Sequence, residues 1–213
     1  MSTFNPGRDN SLLQHVLTLF AVSFFISGCA TTEAPRTVVR VEIQQDVGFT
    51  ITEEARIGSD ARFEYEQALV YLQQGRHEQG VALLESVVEA SPSLTAPHID
   101  LGIAYHVAGE LDAAERNLLK ALELNPDHPI AHNELGIVYR KSGRFDDAKK
   151  SYEAALAIYP GYHYARRNLA VLCDLYLVDL QCALENYEAY MATVPSDSEA
   201  TMWIVDIRNR IGQ

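Results

Sequence analysis

Six pairs of residues recur at one spacing of 34: Gly102 with Gly136, Tyr105 with Tyr139, Gly109 with Gly143, Ala114 with Ala148, Ala121 with Ala155, and Pro126 with Pro160. A fixed period of about 20 to 50 residues constrains a fold more than any local pattern. Each unit is then one small assembly that cannot bury its own apolar face and must stack on its neighbours.

One period earlier, Ala68, Tyr71, Gly75, Gly80, Leu84, Val87 and Pro92 keep small residues where small residues recur later. One period on, Leu169 and Ala170 match Leu135 and Gly136, but Ala183, Tyr187, Tyr190 and Pro195 fall one residue late. The fourth unit therefore carries a single insertion near its turn. Gly102 and Gly136 on a first helix, with Ala114 and Ala148 on a second, allow two antiparallel helices to approach closely. Tyr105, Tyr139, Leu118 and Tyr152 then fill the space beside them.

These residues resemble the tetratricopeptide repeat: Leu-Gly, an aromatic three residues on, then small, large and small residues on a second helix, closed by proline. The resemblance covers about 58–195 and implies an all-α superhelix of four helical hairpins, at about 61–94, 95–128, 129–162 and 163–197. Beyond Pro195, Ser196-Asp197-Ser198-Glu199 has capping-box spacing and opens an amphipathic run through Trp203, Ile204 and Ile207. Residues 196–213 are thus expected to form a helix that caps the array, with Trp203 in packing.

At the other end, Leu12–Ile26 is an apolar run of export-signal length, too short for a comfortable membrane span. It ends in Ile26-Ser27-Gly28-Cys29, which resembles the lipobox of bacterial lipoproteins. The resemblance implies a signal peptide over 1–28, lipid attachment such as palmitate at Cys29, and, with Ala30 following, an outer-membrane anchor facing the periplasm. The pattern departs in its n-region, where Asp9 follows Arg8 and cancels its charge. Residues 29–57 lack helical periodicity and read mainly as a tether, although Val38–Ile43 would form a short strand if it found a partner.

Net charge is -12, with 17 Lys plus Arg against 29 Asp plus Glu, so no positive field is available for nucleic acid. No nucleophile elbow, phosphate loop, zinc-protease motif or supported carboxylate pair is present, and the expectation is a non-enzyme without cofactor. His128 and His132 stand four apart, as two metal ligands on one helix would, but His132 also stands 34 after His98. That register makes it a packing position, and no metal is expected. With Cys29 acylated, Cys173 and Cys182 remain. They form either a disulfide in an oxidising compartment or two buried thiols acting as small hydrophobes.

In the family the concave surface is lined by first helices, which implies three rows here. Tyr65, Ile99, Asn133 and Arg167 form the first; Leu69, Ile103, Ile137 and Val171 the second; Leu72, His106, Arg140 and Asp174 the third. The aliphatic second row with basic groups toward repeats three and four suits a peptide that has apolar anchors and an acidic segment. The expected function is an envelope scaffold or adaptor binding a periplasmic protein or peptide. Similar tetratricopeptide lipoproteins serve pilus secretion, cell-wall enzymes, or energised transport and motility complexes. A peptidoglycan or small-solute binder is the alternative.

Overall fold

The computed structural model describes residues 39–44, 48–53 and 57–212, with side chains from 57 onward. All of them belong to one unit, Pro35–Gln213. The expected signal segment and Cys29 lie outside the described residues.

Ahead of the array, β1 (Val39–Gln44) pairs antiparallel with β2 (Gly48–Glu53), with Val41 opposite Ile51 and Ile43 opposite Phe49. The stretch read mainly as a tether therefore contains a hairpin, and the partner for the Val-rich run is Gly48–Glu53. Two strands alone are marginal in water, so the hairpin adds little stability of its own.

Four helical hairpins follow: α1 (Ser59–Gln73) with α2 (His77–Ala90), α3 (Thr95–Ala108) with α4 (Leu111–Leu124), α5 (Pro129–Lys141) with α6 (Phe145–Ile158), and α7 (His163–Leu172) with α8 (Leu180–Thr193). One more helix, α9 (Ser198–Arg210), closes the stack. Each first helix packs on its own partner, α3, α5 and α7 pack also on the second helix of the preceding repeat, and these three touch one another in sequence. This is the all-α superhelix implied by the repeat.

Close approach within a hairpin depends on glycine. A methyl group on Gly102 would stand 2.5 Å from the Leu118 side chain, and one on Gly136 would stand 2.5 Å from the Tyr152 ring. Both partners are fully buried, so neither can yield cheaply. On the second helices, Ala114, Ala121, Ala148, Ala155 and Ala183 have no exposed surface. The Ala114 carbonyl lies 3.3 Å from the same methyl position on Gly102, so a small residue there lets the two helices of the hairpin close.

The turns explain three further glycines. Gly75, Gly109 and Gly143 adopt φ of 74°, 85° and 74°, the left-handed region that ends a helix without a Cβ penalty. After each, the next amide reaches back to the aromatic of the first helix: Arg76 N to Tyr71 O, Glu110 N to Tyr105 O and Arg144 N to Tyr139 O, all at 2.9 Å. Repeat four replaces that aromatic by Cys173 and the turn glycine by Val178, at φ 54°. Its extra residue is absorbed in a π-helical turn, Cys173–Leu177. A disulfide joins Cys173 to Cys182 across this turn, with Cα atoms 5.9 Å apart.

The cap helix is held differently from the capping-box reading. Asp197, not Ser196, is its N-cap, with Oδ1 accepting from the amides of Glu199 and Ala200 at 3.0 Å. Asp fits the role because a short carboxylate reaches two free amides and complements the helix dipole. Ala200 and Ile207 are buried against the array, and the Trp203 ring lies 5.2 Å from that of Tyr187.

Candidate functional site: the face of the first helices

Depth differs sharply among the three rows. In the first, Ile99 is 4% and Asn133 2% exposed, so neither presents surface to a partner, contrary to the expectation for them. They are spent between repeats. Asn168 donates from Nδ2 to Asn133 Oδ1 at 2.9 Å, and Asn133 Nδ2 donates to Glu134 Oε1 at 3.0 Å. Tyr65 donates its hydroxyl to Asp100 across the same kind of joint, α1 to α3. The Arg167 guanidinium stacks 5.3 Å over Trp203 and serves the cap as well as the face.

In the second row Leu69, Ile103, Ile137 and Val171 are all half-buried, forming an aliphatic strip one residue wide along four helices. Half-burial is the state expected of groove floor, held in place from below and open above. In the third row Leu72 lies beneath Gly80, and Asp174 is paired to Arg210 of the cap at 2.7 Å. His106 and Arg140 remain on the face, each half-buried. Register alone missed three residues beside these rows. Val107 (58% exposed) and Lys141 follow Ile103 and Ile137 by four, and Tyr164 (60% exposed) precedes Arg167 by three.

Two carboxyls one period apart lie on α3 and α5. Burial pushes Asp100 and Glu134 above the usual carboxylate range, and hydrogen bonds from Tyr65 and Asn133 offset part of that. Burial, and then the charges of Lys141 and Arg140, push the His106 imidazole down. Arg140 and Lys141 of α5 are thus the cations whose field reaches this part of the face.

The histidines considered as metal ligands have structural partners. His132 Nε2 contacts the Pro126 carbonyl at 2.8 Å, and one period earlier His98 Nε2 contacts Pro92 O at 3.3 Å. Arg166 Nε donates to Pro160 O at 3.3 Å one period later. The same helix position thus clamps the preceding proline turn three times over. His128 accepts from Ala131 N at 3.3 Å as the N-cap of α5, and burial lowers its pKa to about 4. Among the described residues no group of three or more His, Cys, Asp or Glu is placed to hold a metal ion.

The family profile described as tetratricopeptide repeat matches residues 49–95, 99–163 and 134–174, more than half of the chain, and the chain belongs to that family. Similar solved structures include MamA from Desulfovibrio magneticus RS-1, 21% identical over 74% of this chain and 88% of that one, TM-score 0.66. Another is the thermophilic tetratricopeptide protein TTC0263 of Thermus thermophilus, 24% identical over 70% and 81%, TM-score 0.60. A third is pilF of Pseudomonas aeruginosa, 21% identical over 70% and 68%, TM-score 0.64. These likenesses concern the fold. No curated protein matches in sequence. Tetratricopeptide arrays are protein-interaction scaffolds, and this chain is one.

Proposed function

We propose that the protein is a lipid-anchored scaffold of the bacterial envelope, fixed by Cys29 to the outer membrane, that holds a periplasmic protein or peptide along Leu69, Ile103, Ile137 and Val171. The observation that carries the partner-binding half is the half-buried state of that whole row across all four repeats. Aliphatic side chains fixed below and open above gain from covering by an extended or helical segment. The anchoring half rests on Ile26-Ser27-Gly28-Cys29 directly after an apolar run. A disulfide between Cys173 and Cys182 accords with an exported protein, since such bonds persist in oxidising compartments. The role is accessory to an envelope assembly serving secretion, the cell wall or energised transport.

Two measurements test the two halves separately. Cys29→Ala should shift the protein out of the membrane fraction and end palmitate labelling; unchanged labelling refutes the anchor. Ile103→Lys with Ile137→Lys should abolish crosslinking to the partner in intact envelopes while helicity is kept. Retained crosslinks would refute the groove.

A further inference from the structure

Among the described residues Arg140, like Arg76, Arg166 and Arg167, has no carboxylate partner, and what sets it apart from them is a buried Nε that closes no hydrogen bond. Arg144 bonds Glu115 and Asp147, Arg208 bonds Glu188, and Arg210 bonds Asp174 and Asp206. Arg140 is half-buried and among the described residues has no carboxylate partner; its contacts are aromatic, with Nη1 3.5 Å from the Tyr176 hydroxyl and the guanidinium 5.7 Å over that ring. Its Nε is buried and closes no hydrogen bond. The Tyr152 hydroxyl lies against the same guanidinium, and neither it nor His106 Nε2 closes one of good geometry either. Half-burying a guanidinium without a counter-ion is costly, and a helix C-terminus that merely wanted a cation would be served by an exposed one.

The surroundings complete a corner. Lys141 is exposed and has no ion-pair partner among the described residues. Tyr176 belongs to the π turn that only repeat four possesses; its ring rests 4.9 Å from that of Phe145, which aims the hydroxyl at Arg140. Beside it Leu175 is 65% exposed, an apolar shelf held out by a turn stapled through Cys173 and Cys182. The one carboxylate that the repeat register would offer, Asp174, is taken by Arg210.

We infer that Arg140, Lys141 and Tyr176 form a carboxylate-binding corner at the repeat-four end of the groove, which takes an Asp or Glu side chain of a partner peptide whose neighbouring apolar residue rests on Leu175. This rests on the groove reading and specifies its partner: an acidic segment following apolar anchors. The Arg140 guanidinium and the Tyr176 phenol, 3.5 Å apart, with the Lys141 ammonium on the adjoining residue, supply the charge-assisted hydrogen bonds that a carboxylate accepts.

The test uses the full oxidised chain and two fluorescein-labelled twelve-residue peptides, one with a central Leu-Glu-Leu-Glu and its Gln-for-Glu twin, read by fluorescence polarisation. The Glu peptide should bind about tenfold or more tightly than the twin, as charge-assisted bonds require. Arg140→Gln should erase that preference and Tyr176→Phe reduce it, at unchanged helicity and melting, while Arg116→Gln on α4 leaves it intact. Equal binding of the two peptides, no binding of either, or an undiminished preference in Arg140→Gln overturns the corner. If both peptides bind equally and Ile103→Lys with Ile137→Lys abolishes both, the groove stands and the corner falls.

Discussion

The carbonyl of Cys173 accepts the amide hydrogen of Asp179 at 2.8 Å, one residue further along the chain than Tyr139 O and Arg144 N in the repeat before. One helix end is thus closed by the same bond over a longer turn. The cost of the inserted residue falls on Val178, a β-branched residue in the left-handed region that glycine occupies elsewhere. The disulfide fastens the two helices that flank this turn.

Reduction, or Cys173→Ala with Cys182→Ala, should lower unfolding free energy by about 2–3 kcal/mol, the amount expected for so short a closed loop. Urea unfolding with and without reductant measures it. No difference would mean that the turn is held by packing alone.

Exchanging the turn residues should give opposite signs. Gly143→Val should cost about 1–2 kcal/mol, because a Cβ at φ 74° clashes with its own backbone. Val178→Gly should raise stability by about 0.5 kcal/mol by relieving that clash. Midpoints of chemical denaturation distinguish the pair, and a loss on Val178→Gly would contradict the strain.

Gly136→Ala separates helix propensity from packing. Alanine favours a helix by about 1 kcal/mol over glycine, yet its methyl would meet the buried Tyr152 ring. Overpacking wins, and a net loss of about 1–2 kcal/mol is expected. A stabilised variant would show that the two helices can separate freely.

Burial holds His128 near pKa 4 against an ordinary 6.5, so the unfolded chain takes up its proton first as pH falls. Its contribution is complete above about 6.5 and is lost progressively down to about 4, by up to roughly 3 kcal/mol. Asp100 and Glu134, raised by burial, act with the opposite sign over the acid range. Comparison of wild type with His128→Asn, which keeps a capping acceptor, therefore isolates the histidine: the variant should lose less stability between pH 6.5 and 4.5.

The repeats were legible because glycine, alanine and proline recurring together at one fixed spacing are what stacked helical hairpins require, and the insertion was legible to the residue from Ala183, Tyr187 and Pro195. Its form as a π turn was not, since one extra residue can equally widen a helix or lengthen a loop. The hairpin was half legible: Val38–Ile43 had strand character, but Gly48–Glu53 has no core-facing context by which a sequence would declare it a partner. Register placed the three rows along the first helices but could not give their depth. Whether Ile99 or Ile103 meets solvent depends on the twist between neighbouring repeats, a property of stacked surfaces that no local pattern carries.

The groove is tested most directly by a photo-crosslinking residue placed at Ile103 or Ile137, and at Leu119 on α4 as the comparison, in intact envelopes. The account predicts one common partner captured from both groove positions and none from Leu119. Capture from Leu119 alone would place the partner on the opposite face and contradict it.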